Sequence, residues 1–123
     1  MTLLYIEDDE DDIHIFKEAV ELTNQKTVLH VARDAREAFK MLEELTILPD
    51  LIFLDINLPE IPGQQFLKTL KSTHGLKTVP VVVYSTTGHL HDIEECKRLG
   101  ASDFIIKPNK FDQLVTILQK FIE

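Results

Sequence analysis

Five times along the chain, a short apolar run of strand length is followed by a stretch whose apolar residues recur at helical spacing. Residues 3–6 form the first run, and acidic residues close it. Ile13, Phe16 and Val20 then stand at i, i+3 and i+7, the pattern of an amphipathic helix. Residues 27–31, enriched in β-branched side chains, read as a second strand; Ala35, Ala38, Phe39 and Leu42 mark the helix after it, and Pro49-Asp50 breaks the chain. Leu51–Leu54 is apolar at every position and residues 80–84 nearly so, which predicts strands covered on both faces, as in a parallel sheet. Between them, Phe66, Leu67 and Leu70 follow a turn over residues 59–63. A weaker fourth helix carries Ile93, Cys96 and Leu99 and ends at Gly100; Asp103–Ile106 is a fifth strand. Phe111, Leu114, Val115, Leu118 and Ile122 place a last helix with one apolar face.

Strand and helix alternating in this way imply a parallel sheet with right-handed crossovers and helices on both sides, a three-layer α/β architecture. Five strands suit an open, doubly wound sheet, since a closed eight-stranded barrel needs about twice this chain. The 123 residues allow one domain, 1–123, with no repeat and no linker on which to hang an effector domain. In open sheets of this kind, ligands bind beyond the carboxyl ends of the strands, where the strand order reverses.

Charge is unevenly spread. The chain has 13 Lys and Arg against 21 Asp and Glu, a net of −8, yet six of the acids are Glu7, Asp8, Asp9, Glu10, Asp11 and Asp12. Without that run the balance is 13 against 15, so the excess is one local cluster. Scattered basic residues at an acidic pI lack the footprint of a nucleic-acid binder. No apolar run approaches the roughly 20 residues of a membrane span, and the N-terminus lacks the basic start of a signal peptide. A single cysteine, Cys96, excludes an internal disulfide and any multi-cysteine zinc site. A cytoplasmic protein is the expectation.

The strand ends hold the chemistry. Strand 1 ends in Glu7-Asp8, strand 3 in Asp55, strand 4 in Ser85-Thr86 and strand 5 in Lys107-Pro108. Nucleotide- and flavin-binding sheets place Gly, Ser or Thr in the first loop, where backbone N–H groups approach a phosphate. An acidic loop repels a bare phosphate, and clustered oxygen ligands suit a hard divalent cation such as Mg²⁺. Two carboxylates about 4 Å apart repel by around 4 kcal/mol at an effective dielectric of 20, so three on one rim call for a cation. Lys107 adds a positive group for a phosphoryl oxygen, and a strand-end carboxylate beside a metal can act as a nucleophile toward phosphorus.

The strand ends YIEDD, LIFLDINLP, VVVYST and FIIKP, in this order, resemble the receiver domain of two-component response regulators. Ser85 follows Asp55 by 30 residues and Lys107 follows it by 52, as is typical of that family, and the resemblance covers essentially the whole chain. Among receivers it is most similar to stand-alone types, some of which partner phytochrome-type kinases. The resemblance implies a flavodoxin-like sheet of strand order 2-1-3-4-5 with five helices. It also implies a phosphorelay role, in which a histidine kinase or a histidine phosphotransfer protein donates a phosphoryl group to Asp55. Asp8, Asp55 and the backbone carbonyl of Asn57 would hold Mg²⁺ (or Mn²⁺), with Glu7 acting through water. Lys107 and Ser85 would contact the phosphoryl group, the lysine helped by a cis peptide to Pro108. Phe104 occupies the switch position on strand 5, and Asn57 and Thr87 flank the path of the hydrolytic water and would tune phosphate lifetime. The strand 4 to helix 5 face would change its affinity for an output protein. Such a chain is no conventional enzyme, although it catalyses its own aspartyl phosphorylation and dephosphorylation.

Two positions depart from the family pattern. Pro62-Gly63 replaces the usual acidic residue before the glycine, which predicts a stiffer turn, and Phe104 lacks a tyrosine hydroxyl. Simpler readings stand beside the sharper ones. Asp9, Glu10, Asp11 and Asp12 are expected to be a solvated helix start, since acids favour a helix N-terminus. His89, His91 and Asp92 read as a solvated loop rather than a second metal site, and Cys96 as packing. A hydrolase of the haloacid dehalogenase type also uses an aspartyl phosphate, but it needs a second Asp where this chain has Asn57. A non-phosphorylated, receiver-like interaction module is the other alternative; such proteins usually lose an acid or the lysine, and none is missing here. The sequence leaves open the cognate kinase, the output partner and whether two copies dimerise through helices 4 and 5.

Overall fold

The computed structural model describes residues 1–122. It contains β1 (Thr2–Ile6), α1 (Glu10–Thr23), β2 (Val28–Ala32), α2 (Ala35–Glu44) and β3 (Leu51–Leu54), followed by α3 (Gly63–Lys71), β4 (Val81–Ser85), α4 (Leu90–Arg98), β5 (Asp103–Ile106) and α5 (Phe111–Phe121). The strands form one parallel sheet in the order β2-β1-β3-β4-β5. The chain winds outward from β1 to β2 and then crosses back to β3, so the order reverses between β1 and β3. Glu7 and Asp55 follow immediately after those two strands.

Strand periodicity of two divides the core. Leu4, Ile6, Ile52, Leu54, Val81 and Val83 face α2, α3 and α4, packing against Ala38, Leu42, Phe66, Leu70 and Cys96. The alternate residues Leu3, Tyr5, Phe53, Val82 and Tyr84 face α1 and α5, packing against Phe16, Val20, Leu114 and Leu118. Aromatic rings concentrate on this second face, where Tyr5 stacks on Phe16 at 4.0 Å and Phe16 meets Phe53 edge-on at 5.2 Å. The central strands β3 and β4 are buried at every position, and the edge strands β2 and β5 are not.

Three sequence expectations shift. The second strand begins at Val28 because the Thr27 N–H turns back to the Asn24 carbonyl. The fourth starts at Val81, since Pro80 has no N–H to give a ladder and contributes only its carbonyl, to the Ile52 N–H. Phe111 is the first residue of α5 and remains 38% exposed, whereas Leu114 and Leu118 one and two turns on are buried.

Local chemistry sets the element ends that matter for function. Asp9 caps α1 by accepting the Asp12 N–H at 3.0 Å, and Asp34 caps α2 by accepting the Glu37 N–H at 2.7 Å. At α3 the determinant is space. The Gly63 N–H donates to the Ile56 carbonyl at 3.0 Å, and a Cβ on Gly63 would lie 2.4 Å from the Ile56 Cα and 2.7 Å from the Asp55 carbonyl oxygen. Only glycine permits this approach, which holds the turn expected at Pro62-Gly63 against the end of β3.

Candidate functional site

Backbone pairing carries the acidic and basic residues to one rim. The Glu7 N–H donates to Ala32 at 2.9 Å, the Asp55 N–H to Ile6 at 3.1 Å and the Lys107 N–H to Ser85 at 2.7 Å, so each functional residue extends a strand pairing by one step. Glu7, Asp55 and Ser85 are buried, an arrangement that polar side chains adopt only when partnered.

Their partners are one another. Lys107 Nζ donates to Asp55 Oδ2 at 3.1 Å, to Asp12 Oδ2 at 2.9 Å and to Glu7 Oε1. It also sits 5.7 Å from the centroid of the Tyr84 ring. The second Asp55 oxygen, Oδ1, accepts the Asn57 backbone N–H at 2.9 Å. Asn57 Nδ2 reaches Ser85 Oγ at 3.4 Å. Glu7 is held from two sides: Tyr5 Oη donates to Oε1 at 3.2 Å, and the Asp8 and Asp9 N–H groups donate to Oε2 at 3.1 and 3.4 Å.

Electrostatics follow from this crowding. Burial pushes the Glu7 carboxyl up to about 7, the hydrogen bond and repulsion from Asp55 adding to the rise and Lys107 opposing it. Burial alone would lower the Lys107 ammonium, but its hydrogen bonds to Glu7 and Asp12 outweigh that and hold it charged. Burial pushes Tyr84 up to about 12 and raises Tyr5 further, so both phenols stay protonated. One ammonium therefore faces three carboxylates, and the corner keeps an uncompensated negative charge.

Glu7, Asp55, Lys107, Asn57 and Ser85 thus come together. Asp8 contributes its backbone N–H to Glu7 while its side chain remains on the exposed rim, and Thr87 is exposed in the β4–α4 loop. Phe104 is half-buried on β5 against the α2–α4 side of the core. Two expectations are corrected. No cis peptide bond occurs among the described residues, so the Lys107-Pro108 bond is trans, the isomer that X–Pro bonds favour by about 0.5–1 kcal/mol. Asp12 is not a solvated member of the helix start: its carboxylate pairs with Lys107 across 95 residues of sequence.

Asp12, Tyr5 and Tyr84 are the neighbours that sequence reasoning missed. Tyr5 carried a signal, since it stands two residues before Glu7 and so shares its face of the strand. The Asp12 pairing depends on how α1 packs and has no local signature.

Among the described residues, no group of three acidic, His or Cys side chains is posed to hold a metal ion. The donor chemistry nevertheless fits a hard divalent cation. Three carboxylates, all oxygen donors, surround a corner whose negative charge Lys107 only partly offsets.

Residues 3–119 match the family model described as "Response regulator receiver domain". The chain belongs to this family. Receiver domains are the phosphoacceptors of two-component systems, bind a divalent metal and interact with histidine kinases or phosphotransfer proteins. Over 121 residues the chain is 32% identical to the regulatory protein AtoC of Escherichia coli (strain K12), covering 98% of this chain and 25% of AtoC, so it spans about a quarter of that relative. Among solved structures it is similar to the phosphorylated cyanobacterial phytochrome response regulator RcpA, with TM-score 0.88 and 32% identity over 98% of this chain and 89% of that one. It is also similar to the Mn²⁺-bound form of response regulator Rcp1, with TM-score 0.85 and 26% identity over 98% and 90%. No helix of this receiver, among the described residues, is long and apolar enough to cross a membrane.

Proposed function

We propose that Asp55 is the phosphoryl acceptor of this receiver and that a phosphohistidine, on a histidine kinase or histidine phosphotransfer protein, is the donor. One observation carries the reading. The Asp55 carboxylate lies nearly buried at the end of β3, one oxygen on the Asn57 N–H and the other on Lys107, in a corner that keeps excess negative charge. The nucleophile is a carboxylate oxygen of Asp55. It forms a bond to phosphorus as the P–N bond breaks, and the electron pair leaves on the imidazole nitrogen, which takes up a proton.

Asp8, Asp55 and the carbonyl of Asn57 would hold Mg²⁺ (or Mn²⁺), with Glu7 acting through water. When bound, the cation offsets the roughly −1.5 to −2 charge that phosphorylation adds beside the existing carboxylates. Lys107, already within hydrogen-bond distance of Asp55, pairs with a phosphoryl oxygen. Ser85, buried and next to Asn57, donates its hydroxyl to another, and Phe104 on β5 moves with it. Asn57 and Thr87 flank the approach of hydrolytic water and set phosphate lifetime. Output passes through the β4 to α5 face to a partner protein, and residues 1–123 act as one receiver unit.

Incubation with Mg²⁺ and acetyl phosphate tests this. The expected result is one added phosphate by intact mass, lost in Asp55→Asn and in EDTA. Equal labelling of Asp55→Asn, or full labelling without metal, overturns the assignment.

A further inference from the structure

Lys107 stands between two seats. On one side are Glu7 and Asp55, at the carboxyl ends of β1 and β3. On the other is Asp12, on the first turn of α1, 2.9 Å from the same ammonium. That second side also offers the ammonium a ring face. The Tyr84 ring lies 5.7 Å from Nζ, and Lys107 and Asp12 both line a cavity of about 270 Å³ together with Tyr5, Tyr84, Pro108 and Lys110. Lys107 Nζ already touches Asp12 there, and the open space beside it leaves the side chain room to lean away from Asp55. Nothing in strand geometry requires an acid at position 12, which belongs to the helix and not to the rim.

We propose that Asp12 is a positioning residue that competes with Asp55 for Lys107, drawing the ammonium toward α1 and so limiting how tightly a phosphoryl group is held on Asp55. The inference rests on the phosphoacceptor reading of Asp55. One lysine charge is shared among three carboxylates, and its share at Asp55 falls as Asp12 takes more. Removing the Asp12 charge leaves Lys107 wholly to the rim. Asp12 is itself about one-third exposed, so the competition is partly screened and its effect moderate.

The test uses beryllofluoride with Mg²⁺, a non-hydrolysable mimic of the phosphoryl group, titrated onto the intact chain by calorimetry. Asp12→Asn is expected to bind about two- to tenfold tighter than the parent. Asp12→Glu, which keeps the charge, is expected to return affinity to the parent value. Asp11→Asn makes the same change in net charge one residue away and is expected to leave affinity unchanged, which separates a route through Lys107 from general repulsion. Unchanged or weaker binding in Asp12→Asn, or equal tightening in Asp11→Asn, overturns the proposal. If the parent binds no beryllofluoride and takes no phosphate, the reading of Asp55 falls and this proposal falls with it. If the parent binds and Asp12→Asn does not differ, only the role of Asp12 is lost.

Discussion

Glu7 shows how a single side chain can be stable in one charge state of its site and costly in another. Its carboxyl is buried beside Asp55, which pushes it up to about 7 from an ordinary 4.5. The proton is therefore held more tightly in the folded chain than in the unfolded one. The stability this gives is fully present below about pH 4.5, declines as pH rises toward 7 and levels off above that. In metal-free protein, the urea midpoint is expected to fall across this window, and Glu7→Gln to flatten that fall. Added Mg²⁺ is expected to restore the midpoint at pH 8, because a cation supplies what the proton supplied at low pH. A Glu7→Gln profile that follows the parent through the window would contradict the account. Lys107 is shifted in the same direction for a different reason: its three carboxylate partners outweigh burial and hold the ammonium charged.

At the scale of an element, α3 holds the strand-end chemistry in register. Its first residue, Gly63, lies against the backbone of Ile56 and Asp55, too close for any Cβ. Gly63→Ala forces either α3 or the β3 end to shift, and overpacking of this kind typically costs about 1–3 kcal/mol. Because the neighbouring atoms are backbone and not a flexible side chain, a cost at the upper end is expected, read as a lower denaturant midpoint with unchanged slope. The displacement reaches the Asp55 backbone itself, so the rate of labelling by acetyl phosphate is expected to fall as well. The sequence placed this turn correctly and predicted its stiffness from Pro62, yet the demand for glycine comes from a contact with residues seven and eight positions earlier. The same limit applies to the edges of β2 and β4, which moved by one residue because the turn at Asn24 and the missing N–H of Pro80 decided where pairing begins.

Across the whole molecule, the sheet separates two cores, and Cys96 lies fully buried in the one beneath α2, α3 and α4. Burial pushes its thiol up to about 11, with Glu95 and Asp92 adding to the rise. Few thiolates form at neutral pH, and none is reachable without opening the packed layer. Labelling of Cys96 by iodoacetamide at pH 8 is thus expected to be very slow in the native protein. It should accelerate with urea in step with global unfolding followed by circular dichroism. Rapid labelling without denaturant would show that the α4 layer opens on its own.

The layered α/β architecture, the parallel sheet and the rim on which chemistry gathers were all readable from the chain itself. Strand alternation, helix periodicity and the residues that close each strand are local properties, and the topology rules for parallel sheets act on them directly. Glu7, Asp55, Ser85 and Lys107 were legible for the same reason, each standing at the end of a strand or one residue past it. The tertiary structure alone decided how the acidic run divides. Asp9 caps α1 as a helix start should, but Asp12, three residues on, turns inward to Lys107. Which acid of a helical turn meets a lysine 95 residues away depends on how that helix is rotated against the sheet, and that rotation is set by Ile13, Phe16 and Val20 seating in a core built from distant strands.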